Sequence, residues 1–481
     1  MSKINPKLIL LVFLVAYTFF FFSQRYKPLW TDESVYISIG KYCMSHGEIG
    51  FFESLRPPVY PLFLGVLWKV GADQLLFGRI FAILFSLATI WVSYLLASRI
   101  FNRNIGIISM ILVGITYQFI FFSDKLLTDI PSTMLALVSI YLITGKNSKR
   151  NMFLAGITAG LAFLTKFPQG IVFVSLCLYL LLRKKRKNLL VLILGFGLVL
   201  SPYLLYNHIA YSNMLLPFEK ARYIMKTTAW YYDSGLFYYF RRLPISNYFF
   251  IFSIAGLIYF FKSKDYKHKI KLTLFLILAL FFSYFTLLVH KELRYSIIFL
   301  PYLAMLSAYG IEKLRKKIKL KSVFNYFMIF LFVAFFVQTV GMLNEADKTP
   351  ERGNFYNFIR ETKFNGTIMT TNMAAGYYTN NKIAIINSWK SSKLNKIAVN
   401  YLKDVNLLYI NQLDDAKRIF NLTNTTTVIV DSCLPPCPKD DKECFEIKDN
   451  FIKFLKTYKI IFEDNDEKCD YLVISVEEAR R

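Results

Sequence analysis

Long apolar runs separated by short polar segments dominate the first 341 residues of the chain. They fall near residues 8–23, 76–98, 105–121, 130–144, 152–164, 168–182, 189–206, 245–261, 271–289, 295–310 and 323–341. Each is close to the length that crosses hydrocarbon as a helix, and two shorter ones meet at Lys166. The pattern predicts an α-helical polytopic membrane protein of about eleven transmembrane helices. Beyond Gly341 the pattern changes, and apolar runs shrink to segments at 367–370, 383–386, 407–410, 427–430, 458–462 and 471–476. Helix-like stretches around 351–362, 392–403, 412–420 and 447–457 lie between them. This alternation predicts a small α/β domain over 345–481, behind a transmembrane domain over 1–344.

The polar segments set a topology. With the N-terminus inside, the loops at 99–104, 145–151, 183–188, 262–270 and 311–322 share one side. They carry Arg99, Arg103, Lys146, Lys149, Arg150, the run Arg183 to Lys187, four lysines from Lys262 to Lys269, and the basic stretch Lys313 to Lys321. That is the positive-inside pattern, and one span more or fewer would break it. The reading is a multi-pass plasma-membrane protein with a cytoplasmic N-terminus and an extracytoplasmic C-terminal domain. Lys3 and Lys7 precede the first run and no small-x-small site follows it, which reads as a signal anchor. The outer side receives 24–75, 122–129, 207–244, 290–294 and the tail. Within the first of these, Ser34 to His46 predicts a short amphipathic helix and Pro57 to Val70 a helix lying along the interface.

Composition sharpens this picture. The chain is 55% hydrophobic and 17% aromatic, with a formal net charge of +26. Its cations sit in short loops between apolar runs, which argues against nucleic-acid binding. Cys433, Cys437, Cys444 and Cys469 all lie in the tail and read as two disulfides with three possible connectivities. A zinc site is the rival reading, although Cys433-x-x-x-Cys437 lacks the usual knuckle spacing. Cys177 reads as core within a span, and Cys43 lies in the first outer loop. Sequons at Asn365, Asn421 and Asn424 are compatible with an outward tail.

Ionisable residues gather at the outer ends of the spans: Asp32, Glu33, Arg56, Arg79, Asp124, Lys125, Asp129, Lys166, His290, Lys291, Glu292 and Arg294. Charges at membrane depth are costly and mark function, the bland alternative being snorkelling or interface anchoring. Carboxylates beside cations at an interface suit transfer of a sugar from a polyprenyl monophosphate. Arg or Lys binds the phosphate and stabilises it as it departs, while a carboxylate takes the acceptor proton. The outer loops contain no evident Asp-x-Asp motif, and a monophosphate leaving group met by protein cations can do without a bound metal; no cofactor is implied.

Several ordered segments carry a family resemblance. They are Trp30-Thr31-Asp32-Glu33 with Tyr36, Arg56-Pro57-Pro58-Val59-Tyr60-Pro61, Gly78-Arg79, and Leu127-Thr128-Asp129-Ile130-Pro131. They continue with Gly160 to Lys166, Ser201-Pro202-Tyr203 with Tyr206-Asn207, and His290-Lys291-Glu292-Leu293-Arg294-Tyr295 with Pro301. Over about residues 1–310 the chain resembles GT-C polytopic glycosyltransferases, in the branch of protein O-mannosyltransferases and aminoarabinose (ArnT-like) transferases of prokaryotic type. The resemblance implies catalytic roles for Asp32, as general base, and Asp129, as a positioner of acceptor or base. It implies substrate-binding roles for Glu33, Arg56, Tyr60, Arg79, Lys166, Lys291, Arg294 and Tyr295. Among these, Arg56, Lys166 and Arg294 would take the lipid phosphate, with Arg79 and Glu33 as structural partners near the site.

The implied activity moves a hexose such as mannose, or an aminopentose, from a polyprenyl or dolichyl monophosphate. The acceptor is an extracytoplasmic glycan, lipid or protein, and the outcome is inversion. Three departures stand out. Arg56 replaces a lysine, Tyr203 replaces a tryptophan, and segment 207–244 is too short for the luminal insertion of eukaryotic protein mannosyltransferases. The last weighs against a Ser/Thr protein acceptor. A polytopic transporter or flippase of a lipid-linked or anionic substrate is the alternative. It predicts inverted repeats and ionisable residues at the bilayer centre, whereas here the charges gather at one edge.

Overall fold

The computed structural model describes residues 5–24, 29–145, 148–227, 234–346, 353–389, 407–410, 420–434, 436–465 and 469–476. In chain order the helices are α1 (Pro6–Gln24), α2 (Thr31–Met44), α3 (Val59–Lys69), α4 (Gln74–Ile100), α5 (Arg103–Ile115), α6 (Tyr117–Phe121), α7 (Asp129–Thr144) and α8 (Lys149–Thr165). Next come α9 (Gly170–Leu182), α10 (Arg186–Tyr211), α11 (Leu216–Thr227), α12 (Tyr238–Ser246), α13 (Phe252–Lys262), α14 (Lys269–Leu287), α15 (Leu300–Lys317) and α16 (Lys321–Ala346). The apolar windows read from the sequence fall largely on helical residues, with breaks at Thr116 in the third, Asn247 in the eighth and Phe299 in the tenth, while the ninth runs past the end of its helix at Leu287. By length and composition α1, α4, α10, α14 and α16 can each cross a membrane. Apolar side chains such as Val15, Phe19, Leu194 and Phe330 lie exposed along three of these helices, a surface that asks for lipid rather than water.

The chain divides into two compact units that are discontinuous in sequence. One comprises residues 1–26, 79–215 and 232–349; the other comprises 27–78, 216–231 and 350–481. The second unit holds the first outer loop, 27–78, together with the tail.

In the first unit, glycines let helices approach closely. A Cβ on Gly156 of α8 would lie 2.2 Å from the Leu192 carbonyl oxygen of α10, and one on Gly195 would lie 2.3 Å from that of Phe153. Gly256 of α13 and Gly310 of α15 make a second such contact, a Cβ on Gly310 meeting the Phe252 carbonyl at 2.2 Å. With no hydrophobic drive between helices in lipid, backbone proximity supplies the packing energy. Side chains add hydrogen bonds across helices. Ser139 of α7 donates to the Ala155 carbonyl of α8 at 2.7 Å, and Tyr17 of α1 to that of Gly114 in α5 at 2.8 Å.

The second unit is built on a six-stranded sheet. After α17 (Gly353–Glu361) come β1 (Thr367–Thr370), α18 (Ala375–Tyr378), β2 (Ile383–Trp389), β3 (Leu407–Ile410), β4 (Thr425–Asp431), α19 (Lys442–Leu455), β5 (Lys459–Asn465) and β6 (Asp470–Ser475). The order is β3-β2-β1-β4-β6-β5. The first four strands are parallel, and β6 and β5 close the sheet antiparallel. All six strands fall where the apolar runs predict them. The expected helices at 392–403 and, but for Phe420, 412–420 lie outside the described residues.

Alternation along the strands sends side chains to two cores. Met369, Ala384, Val428, Val430, Leu472 and Ile474 face α19, where Phe451, Ile452 and Leu455 meet them. Ile368, Ile383, Ile385, Ile429, Tyr471 and Val473 face the other way. There Phe355 and Ile359 of α17 cover them, together with Val35 and Ile39 of α2 and Phe51. Disulfides Cys433–Cys469 and Cys437–Cys444 settle the connectivity and set aside the zinc reading. The first ties the end of β4 to the start of β6.

Replacing Gly156 by Leu should cost about 1–3 kcal/mol by forcing α8 from α10. Leu at Gly197, where a Cβ meets nothing within 4 Å, should change little. Thermal unfolding of the two detergent-solubilised variants checks this, and equal midpoints would refute it.

Candidate active site

Two clusters of ionisable side chains stand out, one in each unit. In the sheet-bearing unit, α2 begins at Thr31, and Glu33 accepts the Trp30 amide at 2.9 Å, closing the first turn as a capping carboxylate does. Asp32 sits beside it, half-buried, where the helix end favours negative charge. Arg56 donates from Nη2 to Asp32 Oδ1 at 2.9 Å and from Nε to Glu53 Oε2 at 2.9 Å. A turn between Glu53 and Arg56 places the second pair, and Pro57 and Pro58 then lead into α3. Nη1 reaches the Tyr36 hydroxyl at 3.4 Å, and the Tyr36 ring packs edge-on against Tyr60 with centroids 5.8 Å apart. Burial opposes the charge on Arg56, but Asp32, Tyr36 and Glu53 outweigh it and raise its pKa well above the ordinary value. Burial, with Glu33 and Tyr36 adding to it, also raises Tyr60, so its hydroxyl stays protonated.

In the other unit, Asp129 opens α7 and is 2% exposed. Lys166 lies in the break that Pro168 imposes after α8, its backbone extended, and its Nζ donates to Asp129 Oδ1 at 2.7 Å. Arg294 belongs to the short 3-10 helix Leu293–Ile298 that precedes α15. Its Nε lies 3.9 Å from Asp129 Oδ2 and its Nη2 3.5 Å from Glu292 Oε2. Glu292 also pairs with His290 Nε2 at 2.8 Å, and the Tyr295 hydroxyl lies 3.1 Å from the same nitrogen. The Lys166 ammonium sits 5.1 Å from the centre of the Tyr295 ring, within cation–π range. Asp129, Lys166, Arg294 and Tyr295 thus form one cluster. Lys291, expected to bind substrate, donates instead to the Ser234 carbonyl at 2.9 Å. Arg79 is buried in the second turn of α4.

The whole chain superposes on solved structures. ArnT from Cupriavidus metallidurans bound to undecaprenyl phosphate matches with a TM-score of 0.66 over 97% of this chain and 98% of that one, at 12% identity. The chain has the GT-C fold. The GT-C oligosaccharyltransferase AglB from Archaeoglobus fulgidus, in complex with an inhibitory peptide and a dolichol-phosphate, matches at a TM-score of 0.60 and 12% identity, over 98% of this chain and 76% of that one. Residues 55–206 match the family described as dolichyl-phosphate-mannose-protein mannosyltransferase. An uncharacterized protein of Aquifex aeolicus is 28% identical over 196 residues, which span 38% of this chain and 39% of that relative.

Sequence reasoning missed Glu53, and it named His290, Glu292 and Tyr36 without giving them a role. Glu292 and His290 lie inside the His290-to-Tyr295 motif and Tyr36 beside Asp32, so motif membership was a usable signal. For Glu53 the signal was an acid three residues before a base.

Lys166→Met leaves a buried carboxylate short of its nearest cation and should cost about 3 kcal/mol. Adding Asp129→Asn should recover part of the loss. Unfolding midpoints in detergent decide; a Lys166→Met protein as stable as wild type would contradict the pairing.

Proposed function

We propose that the protein is a membrane glycosyltransferase that moves a sugar from a polyprenyl or dolichyl monophosphate to an extracytoplasmic acceptor with inversion. The observation that carries this reading is the cluster of Asp129, Lys166 and Arg294. One carboxylate and two cations are held together at helix ends, buried where unpaired charge is costly. The likeness to ArnT bound to undecaprenyl phosphate and to AglB with a dolichol-phosphate supports a lipid monophosphate as the carrier. The sugar class is a hexose such as mannose, or an aminopentose. The acceptor is a glycan, lipid or protein.

In this mechanism Asp32 removes the proton from the acceptor hydroxyl. The oxygen attacks the anomeric carbon from the side opposite the phosphate, the carbon–phosphate-oxygen bond breaks, and the lipid phosphate leaves with the electron pair. Lys166 and Arg294 neutralise the phosphate charge as it grows, and Arg56 contributes a third cation. Arg56 also orients the Asp32 carboxylate. Asp129 holds Lys166 in place. Basic inter-span loops and two disulfides in the tail support a cytoplasmic N-terminus and an extracytoplasmic sheet.

Membranes containing the Asp32→Asn protein, given a panel of labelled polyprenyl-phosphate sugars, should show transfer reduced by about 10²–10⁴-fold with the protein still folded. Full activity would eliminate Asp32 as the base. Orientation has its own test. After mild reduction, an impermeant maleimide should label Cys433 and Cys469 on intact cells. Labelling only after permeabilisation would reverse the topology.

A further inference from the structure

The chain buries a lysine that this mechanism leaves unused. Lys41, on α2, is 3% exposed. Its Nζ donates to the Tyr377 carbonyl at 2.8 Å, the Thr379 carbonyl at 2.9 Å and Asn380 Oδ1 at 3.2 Å. An ammonium has three protons, and these three oxygens use them all. Two of the acceptors are main-chain carbonyls at and just beyond the end of α18, where helical carbonyls lack partners and a cation is favoured. Burial pushes the Lys41 pKa down to about 7, so the oxygens are what the charged form holds in place of water.

The surrounding contacts fix α2 in both rotation and depth. Val35 and Ile39 turn into the sheet core, on the face that also carries Ser38. Gly376 approaches Ser38 so closely that a Cβ there would lie 1.8 Å from its hydroxyl oxygen. Past the helix, the Gly50 amide donates to the Asn381 carbonyl at 2.8 Å, and the Ile383 amide donates back to the Gly50 carbonyl at 2.9 Å. Gly50 has φ +80°, and a Cβ there would lie 2.4 Å from the Ser38 carbonyl oxygen. The segment joining β1 to β2 therefore grips α2 and the chain just beyond it. Asp32 lies nine residues before Lys41, about 14 Å along the helix, and Arg56 lies six residues after Gly50. The two members of the Asp32–Arg56 pair thus flank the grip.

We infer that Lys41 is a positioning residue, which locks α2 to the carboxy-terminal sheet and so sets the geometry of the Asp32–Arg56 pair. Its catalytic consequence rests on the function proposed above. The lock itself stands apart from it.

The test uses full-length protein in detergent. Lys41→Met should raise amide hydrogen exchange in 31–44 and 371–383 while leaving 129–144 and 300–317 unchanged. In a double-mutant cycle read by thermal unfolding, the coupling between Asp32→Asn and Arg56→Gln should fall to near zero in the Lys41→Met background. Lys41→Arg should restore part of it. With the labelled-sugar panel, kcat should fall at least tenfold with KM for the lipid donor unchanged. An Asp32–Arg56 coupling that persists undiminished in Lys41→Met overturns the inference. Should wild type transfer no sugar from the panel, the proposed function falls, and exchange and coupling still decide for or against the lock.

Discussion

One face of the carboxy-terminal sheet is completed by a helix from the start of the chain. Ile368, Ile383 and Ile385 would lie open to solvent without Val35, Ile39 and Phe51 among their neighbours. Burying such side chains is worth roughly 1.5–3 kcal/mol each, so hydrophobic contact is the dominant reason that α2 lies where it does. The polar contacts then choose one arrangement among those that hydrophobicity permits. Paired hydrogen bonds at Gly50 and the ammonium at Lys41 act only at a particular rotation and depth of the helix. Asp32 and its partner Arg56 inherit that precision from the sheet.

The ion cluster in the helical unit follows a different logic. Asp129, Lys166 and Arg294 come from three helix ends, and each is where a chain break puts it. Pro168 interrupts the path from α8 to α9 and leaves Lys166 extended. Glu292 balances Arg294 from two residues away and draws in His290 and, through it, Tyr295. In so dry a setting, taking away one partner harms more than the pair itself contributes. That makes the cluster rigid.

Much of this was legible in the chain. Helices of the membrane unit announced themselves because lipid demands unbroken apolar stretches. The strands did so because a parallel sheet covered on both faces reads as short continuous apolar runs, as at Thr427 to Val430. Asp32 and Arg56 each sit in a motif that the sequence marks, although neither motif announces that the two pair. What stayed hidden was long-range. Nothing local to Val35 or Ile39 says that their partners lie more than 300 residues away, and Lys41 reads as one more polar position on an amphipathic helix. The direction of Lys291 was equally opaque, since a basic residue beside Arg294 carries no mark of which carbonyl it will find.

Residues 27–78 and 350–481 belong to one compact unit, although the ribosome makes them far apart in time. At ordinary rates of synthesis, on the order of tens of seconds separate the emergence of α2 from that of β1. During that interval the apolar side of α2 has no sheet to rest on, and every intervening span must insert first. Maturation of the unit that bears Asp32 is therefore a late event. A prematurely terminated chain would carry a finished membrane bundle and an orphaned first loop, a natural target for quality control.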